Sequence, residues 1–356
     1  MRRVRVESAR VAALQRRMDE RNIDAFLVTQ RENIQYLTGF TGSSGSVVVA
    51  SGRPLLITDF RYQIQAAAEA PGVTVLIQKK DHVSAVKEAV RRLDVETLWF
   101  DDASLTIDRA RALRKQGLRL KGIKDPVSEL RLRKDRGELA KISKAIRRAE
   151  DSFLALKRFI RPGVSERELG FKLEMLMREH GSRRIAFDSI IASGKNGSMP
   201  HASVSDRRLR AGELVTFDFG AEADGYYCDI TRTVSVGRPT PRQRMVHDLV
   251  LRAQEQAISA VKPGVRCADI DRHARATIAQ AGHGKHFGHA TGHGIGLMVH
   301  EGPSLSAMSK GVVEEGMVFT VEPGIYIAGW GGVRIEDMVL VTADGHRVLT
   351  NLPREL

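Results

Sequence analysis

Apolar positions in the first part of the chain switch between two periods. Val11, Leu14, Met18 and Ile23 recur at helical steps, and the face they mark ends near Asn22. Short apolar runs follow. Ala25-Phe26-Leu27-Val28 and Ser46-Val47-Val48-Val49-Ala50 read as buried strands. Leu55-Leu56-Ile57-Thr58 follows the turn Ser51-Gly52-Arg53-Pro54, and Val73-Thr74-Val75-Leu76-Ile77 follows Pro71-Gly72. Helices fill the gaps around Ala66–Ala70 and Val83–Leu93. The alternation predicts an α/β domain over residues 1–125. Asp125-Pro126, after a basic stretch, marks the boundary to a second domain over residues 126–356, which opens on a long charged helix from about Ser128 to Phe159.

The second domain is written twice. Ile160-Arg161-Pro162-Gly163-Val164 recurs as Val261-Lys262-Pro263-Gly264-Val265, 101 positions later, each time before a helix with early acidic residues. Gly212-Glu213-Leu214-Val215-Thr216-Phe217-Asp218 aligns with Gly316-Met317-Val318-Phe319-Thr320-Val321-Glu322 at an offset of 104. Both end an apolar strand on a carboxylate. Beyond each lies a glycine-containing turn and a strand with a further acid near its start, at Asp229 and at Glu336. Two α/β halves placed face to face would aim two carboxylates from each toward a shared axis.

The chain has 356 residues, 42% apolar and 28% charged, which fits a globular two-domain protein and excludes a disordered or collagenous one. No apolar run approaches the roughly 18–20 residues of a membrane-spanning helix. The start lacks the apolar core of a secretory signal. Two cysteines, Cys228 and Cys267, make no disulfide framework and suit a reducing, cytoplasmic setting. The net charge of +13 is uneven: residues 1–150 carry 30 Lys+Arg against 19 Asp+Glu, and Arg109 to Arg148 is the densest stretch. With 5% aromatic residues and no basic–aromatic interleaving, this reads as solvated helix faces. No nucleic-acid or membrane partner is expected.

Four carboxylates in a protein interior repel one another and hold protons unless cations compensate them. Asp218 and Asp229 are 11 positions apart across a turn, and Glu322 and Glu336 are 14 apart across four glycines, so antiparallel pairing would bring each pair face to face. Apolar flanks argue against solvation. Two divalent ions would balance the four charges, the composition of a two-metal hydrolase. Five histidines crowd Gly282 to His300. In Thr291-Gly292-His293-Gly294, glycines flank one imidazole and permit close backbone approach, making His293 the fifth ligand. One nitrogen among many oxygens favours Mn(II), with Co(II), Fe(II) or Zn(II) as further candidates. His300 could hydrogen-bond a substrate carbonyl or oxyanion, a task His201 could share. His289 is assigned to the pocket wall, and His283 and His286 to the surface. Asp218-Phe219-Gly220 has no accompanying kinase motifs, and Ser193-Gly194-Lys195-Asn196-Gly197 lacks the spacing of a phosphate loop.

At these residues the sequence resembles the creatinase/aminopeptidase P/prolidase family, the metallopeptidases of pita-bread fold. The resemblance runs through Val215–Gly220, Cys228–Thr233, Thr291–Leu297, Val299–Ser304, Val321–Tyr326 and Gly332–Asp337. It extends to the amino-terminal domain through Asn33–Phe40 and Thr58–Tyr62. It implies an N-terminal creatinase-like α/β domain followed by a pita-bread domain with a pseudo-twofold repeat. It implies that Asp218 holds one metal, that His293 and Glu322 hold the other, and that Asp229 and Glu336 bridge them. His201 and His300 then match substrate-binding and proton-handling histidines, His289 lies near the leaving proline, and Arg334 orients the carboxylates. The implied reaction is hydrolysis of an Xaa-Pro bond in proline-containing peptides by a metal-bridging hydroxide, with Glu322 shuttling the proton. Proline has no N–H, so a pocket built to bond that N–H would reject such substrates.

Some related dipeptidases carry arginine where Ser304 stands, able to grip a terminal carboxylate. Serine there leads to the expectation of an Xaa-Pro aminopeptidase, with an Xaa-Pro dipeptidase (prolidase) as the alternative and a non-catalytic pita-bread binding module third. Met298, where the family often has an acid, affects pocket detail only. A methionine aminopeptidase would not need the additional N-terminal domain. The family resemblance further implies a homodimer, in which Tyr36, Arg61 and Tyr62 could lean over the partner's site. Cys228 is read as packing.

Overall fold

The computed structural model describes residues 2–356, with side chains from Glu7 onward. It comprises two compact units, Met1–Arg131 and Leu132–Leu356. The first unit contains α1 (Arg2–Glu20), β1 (Ala25–Val28), α2 (Arg31–Thr38), β2 (Ser46–Val49), β3 (Leu55–Thr58), α3 (Gln63–Glu69) and β4 (Thr74–Ile77). It continues with α4 (His82–Leu93), β5 (Thr97–Asp101), α5 (Ile107–Lys115), β6 (Arg119–Ile123) and α6 (Pro126–Arg131). Its six strands form one sheet in the order β4-β3-β2-β1-β5-β6. β2 is antiparallel to both neighbours, and the other pairings are parallel. Strands β1 to β3 are buried at every position, which is why they are unbroken apolar runs with no alternation. β6 is the opposite case. Exposed Arg119 and Lys121 lie on this edge strand, so part of the dense basic stretch protects a sheet edge from pairing with another chain. Among the described residues no helix is long and apolar enough to cross a membrane.

The single helix expected from Ser128 to Phe159 is instead two: α6 ends at Arg131, and α7 (Arg136–Leu156) begins anew. Asp135 is the reason. Its side chain accepts from the Glu138 N–H at 2.9 Å while Glu138 accepts from the Asp135 N–H at 3.0 Å, a capping box that starts a helix.

The second unit continues with α8 (Glu166–Glu179), β7 (Ile190–Ser193), β8 (Leu214–Phe219), β9 (Glu222–Ala223), β10 (Tyr226–Tyr227) and β11 (Ile230–Ser235). Its second half holds α9 (Pro241–Ser259), α10 (Cys267–Gln280), β12 (Gly292–Gly294), β13 (Glu301–Leu305) and β14 (Val318–Val321). β15 (Gly324–Ile327), β16 (Gly331–Arg334), β17 (Asp337–Val341) and β18 (His346–Val348) complete it. The sheets run β11-β8-β7 and β13-β12-β14-β17-β18, with small hairpins β9–β10 and β15–β16 in matching places.

The repeat extends to individual hydrogen bonds. Gly163 N–H donates to Leu209 O and Leu209 N–H to Val164 O, at 2.9 and 2.8 Å. Gly264 with Val313, and Val313 with Val265, repeat both distances at the sequence offsets of 101 and 104. Gly163 and Gly264 both take left-handed backbone (φ 90° and 88°), which explains why glycine stands at each.

Each half packs its helices on its sheet. Phe153 of α7 stacks on Phe219, with ring centroids 5.1 Å apart, and meets Phe217 edge-on. In the second half Val250, Ala253 and Ala257 of α9 join Ile270 and Ala274 of α10 against Phe319, Val321 and Val339. The halves meet along β11. Thr233 Oγ1 donates to Arg334 O and accepts from Arg334 N–H, and Glu336 N–H donates to Thr231 O. Arg232, 2% exposed, sits on this seam. It donates to Asp337 Oδ1 at 2.7 Å, Glu336 O at 2.5 Å, Leu352 O at 2.8 Å and Pro353 O at 3.0 Å. Asp337 also takes hydrogen bonds from Gln254 and Thr350 and pairs with Arg354, so the buried charge pair is solvated by protein.

Candidate active site

Strand register places the acids. β14 pairs with β17 so that Val321 faces Asp337, and one step further sets Glu322 opposite Glu336, as expected. The first pair differs. Asp218 faces Thr231, so Asp229 lies two residues past the facing position, diagonal to Asp218 on the same strand face. The β9–β10 hairpin and the bond from Cys228 N–H to Ala221 O take up the connection and shift the register. Thr231, which holds the facing place, donates its hydroxyl to Glu336 Oε2 at 2.7 Å and so joins the two halves' acids.

His293 depends on its glycines. A Cβ on Gly292 would lie 1.9 Å from Thr320 O, and one on Gly294 would lie 1.8 Å from Gly302 O. Only glycine lets strands approach so closely around the histidine. His293 N–H donates to Thr320 Oγ1 at 3.1 Å, and Nδ1 lies 3.1 Å from Gly294 O. Donation from Nδ1 leaves Nε2 with its lone pair, 3.6 Å from Asp229 Oδ2 and 3.5 Å from Glu322 Oε1. Ligand atoms of Asp229, His293 and Glu336 all lie within 4.8 Å of one another.

Such a cluster is incomplete as a hydrogen-bonded site. Asp218 Oδ1, Asp229 Oδ1 and Glu336 Oε1 are buried with no hydrogen-bond partner, a costly state for carboxylates in a protein interior. Burial first, and then the neighbouring carboxylates, push Asp229 and Glu336 well above the usual carboxylate range. Burial raises Glu322 to about 8, against the pull of Arg334, while burial and then His300 lower His293 to about 4. Neutral imidazole beside carboxylates lacking donors is the chemistry of a divalent cation site. Ligands about 2 Å from one ion stand roughly 3–4 Å from each other, the spacing seen here. The residues present fit such ions.

A second layer holds this cluster. Arg334 donates to Asp218 Oδ2 at 2.5 Å, Thr231 Oγ1 at 3.1 Å, Pro200 O at 3.1 Å and Tyr326 Oη at 2.9 Å. It therefore orients Asp218 directly. Tyr326 Oη also lies 2.9 Å from His289 Nε2. Burial lowers His289 to about 4 and raises Tyr326 to about 12, so both are neutral near pH 7. His300 is exposed, its ring 4.1 Å from that of His293. His201, also exposed, follows Pro200, whose carbonyl accepts from Arg334.

Tyr326, Thr231 and Thr320 join the site beyond the residues expected of it; Tyr326 and Thr231 lie inside motif stretches, and polar side chains in otherwise apolar strands are the signal that marks all three. His283 and His286 are half-buried and pair through Nδ1 atoms 3.3 Å apart. Cys228 is buried, and burial pushes its thiol far up, so it is packing. Tyr36 is 5% exposed inside its own unit beneath the Arg10 guanidinium, which withdraws it from the expected surface role. Arg61 is exposed and paired with Asp59, and Tyr62 bonds Ser43.

Two family models match almost end to end: Creatinase/Prolidase N-terminal domain over residues 10–133 and Metallopeptidase family M24 over residues 140–343. The chain belongs to metallopeptidase family M24. It is a metallo-exopeptidase of that family with the creatinase N-terminal domain and the pita-bread catalytic domain. This M24 chain is 37% identical to a Xaa-Pro dipeptidase of Pyrococcus horikoshii, over 95% of its own length and 96% of the relative's. A solved Xaa-Pro dipeptidase from Bacillus anthracis superposes with TM-score 0.96 at 38% identity, covering 98% of this chain and 99% of that one. An X-Pro aminopeptidase from Thermotoga maritima gives 0.90 at 38% identity, covering 97% and 98%.

Proposed function

We infer that this M24 peptidase is an Xaa-Pro dipeptidase, a prolidase, and that Asp218, Asp229, His293, Glu322 and Glu336 hold two divalent ions, Mn(II) first among the candidates. The observation that carries the reading is the set of three buried carboxylate oxygens without a donor, on Asp218, Asp229 and Glu336, the last two of which bring a ligand atom within 4.8 Å of one on His293. Bound ions would supply charge compensation and Lewis-acid activation of water and of the scissile carbonyl.

The chain's own groups do the rest. Glu322, with 18% of its side chain exposed against 8% for Asp229, is the acid open enough to take a proton from attacking water and return it to the departing proline nitrogen. His300 and His201, both exposed at the rim, meet the substrate carbonyl and terminal carboxylate. Neutral His289, fixed by Tyr326, offers the proline ring a face without charge. Arg334 keeps Asp218 aimed at the cluster.

The aminopeptidase expectation rested on Ser304. That residue is exposed on β13 opposite His293, and an exposed serine leaves the terminal carboxylate to imidazoles from elsewhere. Relatives named Xaa-Pro dipeptidase therefore weigh more than this one position, and the aminopeptidase becomes the second reading. The homodimer and a cytoplasmic setting belong to the same proposal, with exposed Arg61 and half-buried Tyr62 as the residues to probe by sedimentation of variants.

Initial rates on Ala-Pro and on Ala-Pro-Ala, after loading with Mn(II), Co(II) or Zn(II), test the reading. Preference for Ala-Pro is expected. Faster cleavage of the tripeptide favours the aminopeptidase, and no cleavage of either with any metal would refute both.

A further inference from the structure

Glu166 opens α8 and is fully buried, yet it lies outside the carboxylate cluster. Its carboxylate accepts from both ends of one loop. At the near end Oε1 takes the Ser193 N–H and hydroxyl, each at 2.7 Å, and Asn196 Nδ2 at 3.1 Å. At the far end Oε2 takes the Ser205 N–H at 3.2 Å and its hydroxyl at 2.5 Å. Between these anchors lie Pro200, whose carbonyl accepts from Arg334, and His201. The loop's position thus sets both an imidazole at the rim and one bond of the guanidinium that aims Asp218.

The internal repeat provides a control within the same molecule. At the offset of 101, Glu166 corresponds to Cys267. Glu166 N–H donates to Arg207 O at 3.0 Å, and Cys267 N–H donates to Gly311 O at 2.9 Å, the counterpart at offset 104. Both side chains are fully buried. The fold therefore places this residue alike in both halves, and one half does without a carboxylate. In that half the acid sits one turn further along the helix. Asp271 takes the Thr291 hydroxyl at 2.8 Å and pairs with Arg275, which donates to His289 O. Its first-half counterpart is Gly170. At the start of this helix each half carries a fully buried acid bonded to its own histidine-bearing segment, Glu166 in the first and Asp271 in the second.

We propose that Glu166 is a positioning residue for His201, closing the loop of residues 193–205 so that the imidazole and the Pro200 carbonyl are held in place. This rests on the reading of His201 as a substrate-contacting group. The test is a double-mutant cycle on the metal-loaded enzyme, with Glu166→Cys made in the wild-type and His201→Ala backgrounds and kcat/KM measured on Ala-Pro. Cysteine is the residue that the other half tolerates. Expected is a loss of roughly 10- to 100-fold in the wild type and a clearly smaller one, by at least about threefold, in His201→Ala, where only the Pro200–Arg334 bond is still disturbed, with faster tryptic cleavage after exposed Lys195. Should Glu166→Cys not fold, Ser205→Ala is expected to lose about 3- to 10-fold with the same coupling. Equal losses in both backgrounds, or no loss and unchanged cleavage, would overturn the proposal alone. A His201→Ala enzyme as fast as the wild type would overturn the reading of the site beneath it.

Discussion

Chelation should make the protein lose stability as pH rises, and the site supplies the sign and size. In the metal-free cluster burial raises Glu322 from 4.5 to about 8. The unfolded chain has this carboxyl ionised throughout the neutral range, so the native state holds more protons and stability falls with pH until the folded group has titrated. From pH 7 to 9 Glu322 alone contributes a loss of about 1.4 kcal/mol, one pH unit below its folded value being the part that counts. Asp229 and Glu336 are shifted in the same direction. His289 and His293, lowered to about 4, act with the opposite sign, but their gain ends near the ordinary histidine value of 6.5. The chain's +13 charge shrinks on the way to its pI near 10.0, which relieves repulsion and also works against a loss. At about 2–4 °C per kcal/mol for a unit of this size, a fall in Tm of roughly 3–6 °C is expected between pH 7 and 9 after chelation. Metal-loaded enzyme should show no such fall. Scanning calorimetry on chelated wild type and Glu322→Gln checks it: a wild-type Tm that does not drop, or a Gln variant that drops as steeply, refutes the reasoning.

Gly294→Ala puts a methyl 1.8 Å from the Gly302 carbonyl; displacement of β12 should leave less than one tightly bound ion per chain by plasma emission analysis, and two retained ions would contradict the geometry. Tyr326→Phe removes the hydroxyl between His289 and Arg334. A rise in KM for Ala-Pro of about tenfold, with metal content unchanged, is expected from one lost hydrogen bond to a charged group; an unaltered KM would remove Tyr326 from the proline pocket.

Much of this architecture is legible in the chain because repetition is. The Pro-Gly-Val loops carry their offset directly into matching hydrogen bonds, and Asp218 and Glu322 fall at the ends of β8 and β14 in corresponding places. Register was less legible: Asp229 misses the place opposite Asp218 because a two-rung hairpin, too short to leave a period, intervenes. β5 and β6 are hard to read from the chain for different reasons. Trp99 and Phe100 follow a helix with no strong turn signal, and the alternating Arg119 and Lys121 look like a charged face when they are an edge strand. The break at Asp135 lay in a local cap overridden by a longer helical pattern. Glu166 looks like any acid in a first helical turn, since its partners stand 27 to 39 residues away.

The acceptors of Arg232 are far apart in order of synthesis. Apart from the carbonyl of its neighbour Thr231, its guanidinium faces oxygens of residues 336, 337, 352 and 353, at least 104 positions downstream. A nascent chain that has completed its first half therefore carries an arginine whose native surroundings have yet to emerge from the ribosome. The two halves look like separable modules, but this arginine of the first is completed only by the second, and removal of residues 352–356 would strip that cation of two carbonyls at once.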